Sequence, residues 1–290
     1  MTRIIDRFSE IAAGYDAAFV DLWGCMHDGL RAWPEAVAAM QAYRRGGGRV
    51  VFLTNSPRPR AAVATQIAEL GIPEDSYDVI ATSGDAARVA MFRGAVGQKV
   101  WFMGSGNDLS FFEPPKIVAD PVAIERVELD QAEGIVCLGP FDVLADPAVN
   151  RPAFLAAKTR GLKLLCANPD IVVDRGEVRE WCAGALARLY EEMGGEALYF
   201  GKPHPPIYDL ARQRLAALGG LPDESRILCV GDGIATDVAG AAGEGLDCLF
   251  ITGGLALKET GTDHHPDDAA LAEYLDAHRQ NPTYAMGFLR

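Results

Sequence analysis

Short, uninterrupted apolar runs recur along the chain: AAFV (17–20), RVVFL (49–53), ALYF (197–200), ILCV (227–230) and CLFI (248–251). A strand with one solvated face alternates apolar and polar residues, whereas a strand covered on both faces is apolar throughout, so these runs predict core strands of a buried parallel sheet. Helical patterns lie between them. Residues 61–70 put Val63, Ile67 and Leu70 on one face and stop at Gly71, and residues 206–218 gather Ile207, Leu210, Ala211, Leu215 and Leu218 before Gly219-Gly220. Strand and helix patterns in alternation predict an α/β fold with a doubly wound parallel sheet.

The middle of the chain carries a second set of the same kind. KVWFM (99–103), GIVCL (134–138), KLLCA (163–167) and IVV (171–173) alternate with helical stretches at 84–93 and 152–160, and an acidic, irregular segment, 104–133, separates two of the strands. No low-complexity linker or fixed-period repeat marks a boundary. The reading is an α/β domain over 81–183 inserted into a core domain built from 1–80 and 184–290.

Composition narrows the partners. A length of 290 residues with 49% hydrophobic content suffices for one large domain or two smaller ones, and the net charge of −13 argues against nucleic acid or an anionic membrane surface as the main partner. An anionic substrate would therefore need local positive charge at its site, for which a metal ion and a lysine suffice. The N-terminal stretch lacks the apolar run of a signal peptide, and no later stretch is apolar for long enough to span a bilayer. The six cysteines are scattered without a CxxC pair, which predicts reduced, buried thiols in a cytoplasmic protein.

In open α/β sheets, functional groups gather beyond the carboxyl ends of the strands. Asp21 follows AAFV, Thr54-Asn55-Ser56 follows VVFL, Gly201-Lys202-Pro203 follows ALYF, and Gly231-Asp232-Gly233 follows ILCV with Asp237 shortly after. Taken singly, each has a plainer role: turn former, helix cap or solvated charge. Jointly they suit phosphoryl transfer. Asp21 and Asp232 can hold Mg²⁺, a carboxylate can attack phosphorus, and Thr54, backbone N–H groups and Lys202 can neutralise the equatorial oxygens.

These segments resemble the motifs of the haloacid dehalogenase-like superfamily. D-L-W-G-C-M-H-D-G (21–29) resembles its first motif, F-L-T-N-S (52–56) its second, G-K-P-H-P-P-I-Y (201–208) its third and V-G-D-G-I-A-T-D (230–237) its fourth. The long gap between the second and third motifs, with C-A-N-P-D (166–170) inside it, is similar to the class IIA branch, whose members include nucleotide and sugar phosphatases with a large cap domain. The resemblance implies Asp21 as nucleophile and Mg²⁺ ligand, Asp232 and Asp237 as metal residues, and the backbone carbonyl of Trp23 as a further ligand. It implies Thr54 and Lys202 as phosphoryl ligands, with Asn55, Ser56, Asn168 and Asp170 on the substrate side. The implied substrate is a small phosphorylated metabolite, and a cap-mediated homodimer would be in keeping with such a family.

The chain departs from that pattern at Trp23. Phosphatases of the superfamily carry D-x-D, the second Asp serving as general acid and base, a role typically worth about 10²–10⁴-fold in rate. Indole offers only an N–H donor. The proton shuttle is then expected at His27, Asp28 or a cap residue such as Asp170. The alternatives are a substrate with a good leaving group, or a protein that binds a phosphorylated ligand without efficient turnover. His264-His265, in the polar segment 259–268, reads as part of a solvated loop.

Overall fold

The computed structural model describes residues 2–105 and 109–290, so part of the irregular segment expected over 104–133 lies outside the described residues. The chain forms two compact units: Met1–Thr54, Ala64–Ala81 and Tyr208–Arg290 make the first, and Asn55–Val63 and Thr82–Ile207 the second.

The first unit is organised by a seven-stranded sheet. Its order is Arg3–Ile4, Tyr284–Met286, Asp247–Ile251, Ile227–Gly231, Ala17–Val20, Arg49–Thr54 and Val79–Thr82. Ala17–Val20 pairs in parallel with Arg49–Thr54 on one side and Ile227–Gly231 on the other. From these central strands the chain winds outward in both directions, so the switch in winding lies between Ala17–Val20 and Ile227–Gly231. That is where an open α/β sheet presents a crevice at its carboxyl edge. The continuous apolar runs are explained by burial: every residue of Ala17–Val20 and Ile227–Gly231 is buried, as is Arg49–Thr54 beyond its first residue.

The second unit has a five-stranded sheet in the order Glu196–Tyr199, Lys163–Cys166, Gly134–Cys137, Lys99–Met103 and Glu125–Arg126, all pairs parallel. Because successive strand side chains point to opposite faces, this sheet builds two cores. Ile135, Cys137, Leu164 and Cys166 pack with Phe154, Leu186 and Tyr190 on one face, while Val136, Leu138 and Leu165 pack with Ala87, Met91 and Phe92 on the other. An antiparallel hairpin, Val172–Arg175 with Val178–Trp181, stands apart from this sheet.

Three expectations change. The run ALYF, read as a core strand, supplies an edge strand of the second unit's sheet, and that unit extends to Ile207, past the expected boundary at 183. An apolar run of four residues reports coverage, not which sheet provides it. IVV contributes to the hairpin and not to the main sheet. The helix expected over 206–218 spans Pro205–Ala216, so Leu218 falls beyond it and is exposed. The helix over 61–70 is observed as Arg60–Glu69, followed by Gly71 at φ +96°, with Val63 and Ile67 buried. All six cysteines are buried, and none forms a disulfide. Among the described residues no helix is long and apolar enough to cross a membrane.

Candidate active site

Parallel register brings the first unit's chemistry to one edge. Val20 is aligned with Val230 and with Phe52, so extending each strand brings Asp21, Asp232 and Thr54 to neighbouring strand ends. The Asp21 N–H donates to the Val230 carbonyl at 2.8 Å, which carries the ladder one residue past the strand and fixes the aspartate backbone. Asp237 arrives from the turn Ile234–Val238 that follows Asp232, where its N–H donates to the Gly233 carbonyl at 2.8 Å.

Ligand oxygens of Asp21, Asp232 and Asp237 lie within 4.8 Å of one another, and the three residues are only 8%, 5% and 5% exposed. Three buried carboxylates so close repel one another unless a cation or protons offset the charge. Oxygen-only donors of this kind fit a hard divalent cation such as Mg²⁺, which takes a few carboxylates and completes its shell with water or phosphate. Two of the carboxylates are aimed by local bonds. Asp232 Oδ2 accepts from the Leu255 N–H at 2.9 Å, and Asp237 Oδ2 accepts from the Gly233 N–H and the Thr236 hydroxyl, each at 3.2 Å.

Glycines make room for these groups. A Cβ at either Gly24 or Gly254 would stand 2.0 Å from Asp232 Oδ2, and a Cβ at Gly231 would stand 2.1 Å from Asp237 Cγ. Gly24 also has φ +75°, a left-handed conformation that glycine adopts without strain. None of Gly24, Gly254, Leu255 or Thr236 stands out in the sequence as a site residue. The pair Gly253-Gly254 after the strand at 247–251 was the available signal.

The loop after Asp21 is tightly tied. Trp23 and His27 pair through their backbones, the Gly24 N–H donates to the His27 carbonyl at 3.0 Å, and the two rings meet edge to face with centroids 5.2 Å apart. The indole lies over Gly29, where a Cβ would be 2.4 Å from Trp23 Cζ2. His27 is buried and its Nδ1 accepts from the Gly29 N–H at 3.0 Å, which puts the proton of the neutral ring on Nε2. Asp28 Oδ1 accepts from the N–H groups of Leu30 and Arg31, both at 2.9 Å. Burial pushes the Asp28 carboxyl up, but those two backbone donors and Arg31 outweigh it and hold the group below the usual carboxylate range.

The remaining residues expected at the site belong to the second unit. Lys202 and Asn55 are each 2% exposed and bonded to each other: Asn55 Oδ1 accepts from the Lys202 N–H at 2.7 Å, and Asn55 Nδ2 donates to the Lys202 carbonyl at 3.1 Å. Asp170 Oδ1 accepts from Asn55 Nδ2 at 2.8 Å. Asn168 turns its own loop, its Oδ1 accepting from the Asp170 N–H at 3.1 Å. The Ser56 hydroxyl accepts from the Arg58 N–H at 3.3 Å, and its carbonyl accepts from the Gly84 N–H at 3.0 Å.

The chain is similar to several known proteins. Residues 18–114 match the family model described as haloacid dehalogenase-like hydrolase, and residues 199–277 match a second, described as HAD-hydrolase-like. A crystal structure of a haloacid dehalogenase-like family hydrolase from Brucella suis 1330 is 37% identical with a TM-score of 0.86, over 99% of this chain and 100% of that one. The 5'-nucleotidase YutF of Bacillus subtilis is 26% identical over 86% of this chain and 91% of its own. The D-glycerol 3-phosphate phosphatase of Mycobacterium tuberculosis is 26% identical over 84% of this chain and 65% of its own length.

Proposed function

Because the chain belongs to the haloacid dehalogenase-like hydrolase family, we propose that it hydrolyses the phosphate ester of a small metabolite through an aspartyl-phosphate on Asp21. The observation that carries this reading is the buried trio of Asp21, Asp232 and Asp237 at the switch point of the parallel sheet. The two curated relatives, a nucleotidase and a glycerol phosphate phosphatase, support a small phosphorylated substrate.

In this reading the Asp21 carboxylate attacks phosphorus as the ester P–O bond breaks, and the alkoxide leaves as the alcohol with a proton from water. A second water then attacks the acyl phosphate, releasing inorganic phosphate and restoring Asp21. Asp21, Asp232, Asp237 and the Trp23 carbonyl would hold Mg²⁺. Bound there, the ion would supply charge neutralisation at the phosphoryl oxygens. Thr54 and Lys202 are the proposed phosphoryl ligands, and Asp232 and Asp237 keep their aim through the Leu255 and Gly233 N–H groups.

A second reading, a phospho-ligand-binding protein with little turnover, is favoured by the loop after Asp21. The Trp23 indole is neither an acid nor a base, Asp28 is held as the carboxylate, and the Nδ1 of His27 is already occupied by a backbone donor. A proton carried by His27 would pass through Nε2.

Phosphate release from p-nitrophenyl phosphate and a broad phosphoester panel with Mg²⁺ decides between them. The first reading expects release by the wild type and none by Asp21→Asn. If the two are indistinguishable on every ester while phosphorylated ligands still raise the melting temperature, the second reading stands. Trp23→Asp should raise the rate, by up to about 10²–10⁴-fold, if the absent acid limits turnover.

A further inference from the structure

The second unit grips Lys202 by its main chain. A single primary amide, Asn55, spans both polar groups of that residue, accepting from its N–H and donating to its carbonyl. The second hydrogen on Asn55 Nδ2 goes to Asp170 Oδ1 at 2.8 Å. An amide has one accepting end and one doubly donating end, so these three partners are satisfied together by one orientation of Asn55.

Packing around the clamp leaves little slack. A Cβ at Gly201 would stand 2.4 Å from Asn55 Oδ1, 2.6 Å from Pro169 Cδ and 2.6 Å from Ser83 Oγ, so the strap before Lys202 lies directly on Asn55 and on the loop that bears Asp170. That loop is seated in turn. The Gly184 N–H donates to the Asp170 carbonyl at 3.1 Å, and a Cβ at Gly184 would come within 2.1 Å of the Pro169 oxygen. The loop therefore joins the first turn of the helix Ala183–Glu192 to the lysine strap, by the Asp170 side chain through Asn55 and by Pro169 packed against Gly201.

We propose that Asp170 and Asn55 are positioning residues for phosphoryl binding, acting through Lys202. The lysine side chain is a four-carbon stem packed within the protein, so a shift of its backbone is carried along the stem to the ammonium. Asp170 supplies a charged acceptor, which makes its bond to Asn55 stronger than one between neutral groups. Under this assignment the Asn-Pro-Asp turn aims a phosphoryl ligand from behind, and substrate contact is left to other groups. The proposal rests on the reading of Lys202 as a phosphoryl ligand.

The test is calorimetric titration of the Mg²⁺-loaded protein with inorganic phosphate, for wild type, Asp170→Ala, Asp170→Asn and Asn55→Ala. A companion measurement is the rate of Lys202 acetylation by an N-hydroxysuccinimide ester, read by mass spectrometry against the other lysines. Asp170→Ala should weaken phosphate binding by roughly threefold to tenfold, the scale of one lost hydrogen bond, and speed Lys202 labelling, with Mg²⁺ affinity unchanged. Asp170→Asn keeps an accepting oxygen and should recover most of both. Asn55→Ala should exceed Asp170→Ala.

Wild-type behaviour in Asp170→Ala by both measurements would overturn the proposal. So would a parallel fall in Mg²⁺ affinity, which marks general loosening, or an Asp170→Asn as impaired as Asp170→Ala. Absence of ester hydrolysis by the wild type, with phosphate affinities in the expected order, would remove the hydrolase reading and leave the clamp standing. If the wild type binds no phosphate, the assignment of Lys202 fails, and the labelling rates alone tell whether the clamp exists.

Discussion

Asp232 is held by two residues that have no side chain of their own. Gly24 and Gly254 each approach its carboxylate so closely that a methyl group at either would fall 2.0 Å from Oδ2, and neither the backbone nor a buried carboxylate can yield cheaply. One oxygen of Asp232 is already tied to the Leu255 N–H, so a shift of this loop would rotate the carboxylate away from Asp21 and Asp237. Loss of such orienting groups typically lowers metal affinity by roughly 10–100-fold. Gly254→Ala is therefore expected to weaken Mg²⁺ binding by that factor in calorimetric titration. Gly243→Ala, where the added methyl meets open space in the helix Ala239–Glu244, should leave Mg²⁺ binding unchanged. Equal affinities in the two variants would show that close packing does not aim Asp232.

At the scale of the element, a parallel strand delivers its chemistry from its carboxyl end, and the few residues just beyond that end matter as much as the strand itself. Glu196–Tyr199 shows this: its final residue, Tyr199, stacks on His204, with ring centroids 4.8 Å apart and planes 12° apart, just after Lys202. Burial pushes His204 below the ordinary histidine range, opposed by Glu191. A base whose folded-state pKa is depressed is held neutral by folding. Its contribution is complete above the unfolded value of about 6.5 and is lost as pH falls from there through the folded pKa. His204→Phe keeps a stackable ring that does not titrate, so it should lose less unfolding free energy than the wild type between pH 7 and 5.5 in urea titrations. Coincident pH profiles would sink this account. Strand ends are also where legibility divides. Asp21, Thr54 and Asp232 can be read from the sequence because each follows a fully apolar run and parallel register does the rest. ALYF is just as apolar, yet its partner is Lys163–Cys166, because apolarity encodes coverage and not pairing. The crowding at Gly24 and Gly254 is hidden for a different reason: a glycine beside a strand end looks like any turn, and the atom it makes room for lies far away in sequence.

At the scale of the molecule, the charge cluster is a product of the fold. Asp21 lies near the start of the chain and Asp232 and Asp237 near its end, and pairing of Ala17–Val20 with Ile227–Gly231 brings them within 4.8 Å. In the unfolded chain these carboxylates are apart, so their mutual repulsion is a cost that appears only on folding, on top of a net charge of −13. A cation that binds the folded trio adds stability by mass action, about 2.7 kcal/mol at a hundredfold excess over its dissociation constant. For a unit of this size that corresponds to a rise in melting temperature of about 5–10 °C. Asp232→Asn separates the two contributions, since it removes one charge and one good ligand together. Without metal, the variant should melt at or above the wild-type temperature, because repulsion is relieved. With Mg²⁺, the wild type should gain its several degrees and the variant little. Thermal melts with EDTA and with a Mg²⁺ series read both effects. A metal-free variant that melts well below the wild type would mean that Asp232 is needed for packing in its own right. A wild type indifferent to Mg²⁺ would mean that protons, and not a cation, balance the trio.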